Sequence, residues 1–167
     1  MRIPKSLAIA TMLLLAVVIQ TTLFGQLRVV APDLVMLVVI LFALTRTRAE
    51  IVLVTAFGAG LLVDLIGSSL LGLRAIVFTA VAYAALRTKE RAGIGRFTTA
   101  IWVGALTLLG VILLVLVGTL FGQSSLLGPD VGTRLLVVPI ANLILAAVFA
   151  PVVVRVIDGD ATALRFT

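Results

Sequence analysis

Asp64 lies inside an apolar run from Ile51 to Ile66, and Arg74 stands near the start of the next such run, with Gly67 and Gly72 bracketing the short stretch between them. An acid and a base so placed could form an ion pair, hold an ion or polar ligand, or engage a partner, because charges within apolar helices are rare and usually paired. Other chemistry lacks its parts. The chain has no histidine and no cysteine, which removes the usual general base, the commonest metal ligand, thiolate nucleophiles and disulfides. Aspartyl hydrolysis needs two converging acids, and Asp33 and Asp130 sit at the ends of apolar runs, from which only unusual folding would bring them to Asp64. A Ser-Lys arrangement stays formally open, although no lysine lies within an apolar run. The expectation is a protein that is not an enzyme, with no catalytic residue, no metal site and no cofactor.

The elements that must position this pair follow from composition. The chain has 167 residues, 62% hydrophobic and 12% charged, whereas a water-facing surface needs about 25–35% Lys, Arg, Glu and Asp. Lipid is therefore the solvent. A formal net charge of +6 could suggest nucleic acid, but the basic residues fall in short gaps between apolar runs instead of gathering on one polar face, so no nucleic-acid partner is expected.

Six apolar runs are candidate transmembrane helices, at about 7–24, 32–46, 51–66, 72–86, 97–121 and 135–155, the second short on its own. The first follows Arg2 and Lys5 like a signal peptide, but Thr21-Thr22-Leu23-Phe24 offers no small-residue cleavage site, so it reads as a retained span. Pro32 and Asp33 suit a helix's first turn and lengthen the second span outward. Six crossings place Arg2, Lys5, Arg46, Arg48, Arg87, Lys89, Arg91, Arg96, Arg155 and Arg165 on one side, against Arg28, Arg74 and Arg134 on the other. The positive-inside rule then puts both termini in the cytoplasm. All connections are short, giving one membrane domain over residues 1–167.

Asp64 is tolerable where it stands. A central Asp costs about 2.5–3.5 kcal/mol on an insertion scale, and the Leu, Ile, Val and Phe residues of its run return about 3–6 kcal/mol. It lies about 20 Å along the helix from Ile51, toward the outer face. Ala56, Gly60, Asp64 and Gly67 recur at helical spacing, so they form one small-residue face that lets another helix approach and turns Asp64 toward protein. Arg74 is the expected partner, at similar depth across the hairpin that closes at Gly72. The pair could pin that hairpin, take part in partner binding, or hold a ligand or ion.

Weaker features each have a plain reading. Gly118 and Gly122 fit a G-x-x-x-G dimerisation pattern or internal packing. Asn142 near Pro139 fits a polar contact between helices better than a functional kink. Asp158-Gly159-Asp160 lacks the further ligands of a calcium loop. Arg87-Thr88-Lys89-Glu90-Arg91 reads as a topology anchor that could also meet anionic membrane lipid or an acidic partner.

The stretch from Pro32 to Ala75 resembles the MreD family of bacterial rod-shape-determining membrane proteins. The resemblance rests on Pro32-Asp33-Leu34 opening a short span, Arg46 and Arg48 closing it, Gly58-Ala59-Gly60-Leu61-Leu62-Val63-Asp64-Leu65, and Leu70-Leu71-Gly72-Leu73-Arg74-Ala75. It implies a multi-pass protein of the bacterial cytoplasmic membrane that binds MreC in the cell-elongation machinery, alongside RodA, its transpeptidase and the MreB filament. It also suggests an all-α bundle of six transmembrane helices, similar to the substrate-binding subunits of energy-coupling-factor transporters; a vitamin-type carrier is accordingly the alternative function.

Overall fold

A computed structural model describes residues 5–24, 31–44, 48–67, 70–90, 96–123 and 128–158, with side chains over 9–22, 31–44, 48–67, 70–90, 97–123 and 128–150. All regular structure among them is helical: α1 (Lys5–Ile19), α2 (Leu34–Leu44), α3 (Ala49–Ile66), α4 (Leu73–Thr88), α5 (Arg96–Leu120) and α6 (Val131–Asp158). A π-helical turn, Gln20–Phe24, continues α1. Three helices are long and apolar enough to cross a membrane, over Ala49–Ile66, Phe97–Leu120 and Val131–Ala150.

The bundle is apolar outside and, a few polar side chains apart, apolar inside. Among the described residues the buried polar side chains are Asp64, Thr107 and Asn142, while Leu14, Val54, Leu65, Ile101, Leu120, Leu136 and Ile144 are exposed. In water that surface would be an aggregation hazard; in hydrocarbon it costs nothing, and the polar groups must find partners inside.

The shortest helix occupies the centre. α2 has 11 residues, a length of about 16 Å that covers half a bilayer core. Val35, Met36, Leu37, Val39, Ile40, Leu41, Phe42 and Ala43 are all buried, and α2 packs against each of the other five helices. Apolar residues all round it leave no polar face to turn outward, as burial from every side requires. Around it stand two antiparallel pairs, α3 with α4 and α5 with α6.

Several boundaries differ from the sequence reading. α2 begins at Leu34 instead of 32, because Asp33 stops short of helical geometry to cap it, and Arg46 lies outside the described residues. α6 starts at Val131 and runs unbroken through Pro139 and Pro151. Gly118 and Gly122 end α5. Gly122 has φ +82°, its N–H donates to Thr119 O at 3.0 Å and the Gln123 N–H donates to Gly118 O at 2.8 Å. This is the left-handed cap that glycine favours, so the pair's spacing reflects a helix stop. Gly159 and Asp160 lie outside the described residues.

Candidate functional site

A helix starting inside an apolar bundle leaves its first four N–H groups without helical partners, and each must be satisfied by something. At α4, Gly72 precedes the helix with φ +90° and has no side chain to cap it. Asp64 of α3 serves instead. Its Oδ2 accepts the N–H of Arg74 at 2.9 Å and that of Ala75 at 3.4 Å. The Leu73 N–H donates to Leu70 O, and the Ile76 N–H to Gly72 O. The whole first turn is thus accounted for, by a carboxylate borrowed from the neighbouring helix.

Gly60 makes this possible. A Cβ at Gly60 would sit 2.5 Å from Ala75 Cα and 2.6 Å from Arg74 C, closer than any side chain can be accommodated. One helical turn later on the same face comes Asp64. The glycine brings the start of α4 onto the backbone of α3, and the carboxylate meets it there. Gly58 points where a Cβ meets nothing within 4 Å; it plays no part in this approach.

α2 begins by the same logic. Asp33 Oδ1 accepts the Met36 N–H at 2.9 Å, as an N-cap aspartate should. Gln20 Oε1, at the start of the π-helical turn, accepts the Leu34 N–H at 2.7 Å. Both aspartates therefore lie at positive ends of helix dipoles.

Arg74 joins the two caps. Its Nη1 is 3.5 Å from Asp33 Oδ2 and its Nε is 3.9 Å from Asp64 Oδ1. The Arg74 side chain is 29% exposed, that of Asp33 14% and that of Asp64 0%. The sequence-expected pair does come together, yet the nearer contacts of Asp64 are backbone N–H groups, and Asp33 converges on the same guanidinium. That convergence corrects the expectation that Asp33 stays remote from Asp64: the cap at the head of α2 faces the head of α4 across Arg74.

The remaining helices join through Asn142. Its Nδ2 donates to Asp33 O at 3.0 Å and to Thr107 Oγ1 at 3.3 Å, tying α6 to the head of α2 and to α5. Its Oδ1 is buried without a hydrogen-bond partner among the described residues. From Gln20 on the turn after α1 to Thr107 on α5, side-chain contacts cross every helix of the bundle at one level.

Of the other expected residues, Ala56 is buried on the Gly60 face. Gly67 is not on it: α3 ends at Ile66, and Gly67 is exposed in extended backbone at φ −85°, ψ 176°. Helical periodicity cannot carry past the last helical residue. Pro32 precedes the cap without entering α2. Thr107 was not legible in the sequence, being one hydroxyl among many in an apolar run, with value only through the register of α5 against α6.

No curated protein and no solved structure matches the chain. The family model of the rod shape-determining protein MreD matches residues 1–157 of the 167. With its apolar exterior and helical bundle, the chain belongs to the MreD family of rod shape-determining membrane proteins.

Proposed function

We propose that this protein is a non-enzymatic, multi-pass adaptor of the bacterial cytoplasmic membrane that docks MreC and helps to organise lateral peptidoglycan synthesis with RodA, its transpeptidase and MreB. The supporting observation is the use made of its polar groups. Asp33 and Asp64 are committed to the first turns of α2 and α4, and the guanidinium between them neutralises both. An aspartyl dyad instead needs two acids sharing a proton. This arrangement fixes helices in place and leaves their outer faces as the means of contact, which suits a scaffold.

In this reading all six helices cross, with both termini cytoplasmic. α2 is short for a span, but its sheath of five helices keeps its ends away from lipid. Reagent labelling that finds the two termini on opposite sides would overturn that topology. Photocrosslinking from single sites on each helix in native membranes tests the adaptor role. MreC should be captured from one contiguous outer face, and rod-shaped cells depleted of the protein should round up. Retained rod shape with normal MreC incorporation would sink the proposal.

One observation favours the alternative of a vitamin-type carrier: the buried Asn142 Oδ1 is an acceptor that a ligand's donor could satisfy. A small molecule retained stoichiometrically by the wild-type protein and lost in Asn142→Leu would promote it.

A further inference from the structure

The opposite end of the α3–α4 pair carries a different kind of site. Gly60 lies against Ala75, so equal steps back along α3 and forward along α4 bring Arg48 level with Arg87, about 18 Å from that contact. Arg87 is exposed, and its Nε donates to the Tyr83 hydroxyl at 3.0 Å while its Cζ lies 5.5 Å from the Tyr83 ring centroid. The tyrosine therefore fixes the guanidinium by one edge. Among the described residues the two Nη groups and the phenolic hydrogen donate to no protein acceptor, and Glu50 and Glu90, the carboxylates at this end, form no ion pair with Arg48 or Arg87.

What continues from this donor pair decides the ligand. Ile76, Ala80, Tyr83 and Arg87 are all exposed on α4 at spacings of four, three and four, which is one continuous stripe. It runs about 16 Å from an apolar end to a cationic one, close to the depth of one bilayer leaflet. A free anion would use only the cationic end. A molecule with a phosphate at one end and a hydrocarbon chain behind it would use the whole stripe.

We propose that Tyr83 and Arg87 form a seat for the phosphate of an anionic glycerophospholipid, with its acyl chain along Ala80 and Ile76. Arg48 across the pair, and Lys89 beyond α4, add positive potential of the sort that attracts anionic lipid. The guanidinium fork supplies directional hydrogen bonds to phosphate oxygens that a lysine would not. The proposal concerns the membrane surface of the bundle and is independent of MreC docking.

Native mass spectrometry of the purified full chain in detergent, titrated with phosphatidylglycerol, tests it. Wild type should retain the lipid about tenfold more tightly than Arg87→Gln, and Arg87→Lys, which keeps the charge without the fork, should fall between. Ile76→Ser should also weaken lipid retention. Phosphatidylcholine should bind less well than phosphatidylglycerol, and millimolar inorganic phosphate or a polyglutamate peptide should not displace the lipid. Equal retention by wild type and Arg87→Gln, both folded by size-exclusion profile, would overturn the proposal. Displacement by inorganic phosphate would overturn it in favour of a free-anion site, and displacement by polyglutamate in favour of a protein contact.

Discussion

The α3–α4 and α5–α6 pairs are both antiparallel and apolar, yet they are held by different means. α3 and α4 meet backbone to backbone at Gly60, and the contact is sealed by a carboxylate whose oxygens face N–H groups and a guanidinium. α5 and α6 meet through side chains. A Cβ at Gly104 would lie 3.0 Å from Leu143 Cδ1, and one at Gly110 would strike Met36 of α2. Their polar link is a single bond from Asn142 to Thr107 at 3.3 Å, and it leaves an amide oxygen unused. The lesson concerns tolerance. A backbone contact cannot be relieved by changing a rotamer, whereas leucine and methionine side chains can move.

The largest effect that should separate the pairs is at Gly60. Gly60→Leu should destabilise the protein by about 3 kcal/mol or more, since the added atoms collide with main chain and break the cap together. Gly58→Leu on the same helix should stay within about 0.5 kcal/mol, as a surface change. Unfolding titrations in mixed micelles would compare them, and equal losses would refute the close approach as the cause.

Next comes Asp64. Asp64→Leu leaves two N–H groups without their acceptor and Arg74 with Asp33 alone, and should cost about 3 kcal/mol. Asp64→Asn keeps an oxygen for the backbone and should cost about 1 kcal/mol. A charge swap, Asp64→Arg with Arg74→Asp, sharpens the point. A simple ion pair would survive the exchange, but an arginine at 64 would aim a cation at the positive end of α4, so the double variant should remain as unstable as Asp64→Leu.

The smallest effect is expected in the other pair. Asn142→Leu removes two donated bonds but also an unsatisfied buried oxygen, and Asp33 O keeps the Leu37 N–H at 2.9 Å. The change should fall below about 1 kcal/mol in the same titration. A loss as large as that of Asp64→Leu would mean that Asn142, and not the α4 cap, is the keystone of the bundle.

The same contrast explains what could be read from sequence. Gly60 and Asp64 were legible because a charge in an apolar run must face protein, and a small residue one turn away shows where protein can come close. Six helices were legible from the lengths of the apolar runs. The bond type was not. Nothing in Asp64 and Arg74 as residue types distinguishes a side-chain pair from a backbone cap, which depends on where α4 begins. The central placement of α2 was also hidden, since a uniformly apolar helix reads alike in lipid and in a protein core. Asp33 looked like the start of a span because caps and first turns favour the same residues. Its meeting with Arg74 and Asn142 depends on contacts between residues far apart in the chain.

A double-mutant cycle between Asp64→Asn and Arg74→Gln, read as unfolding free energy in mixed micelles, addresses the cap most directly. If Asp64 holds the backbone of α4, most of its loss persists when Arg74 is already glutamine, and the coupling between the two stays below about 0.5 kcal/mol. Disappearance of the Asp64→Asn cost in the Arg74→Gln background would show that the side-chain pair carries the stability, and the cap would be incidental.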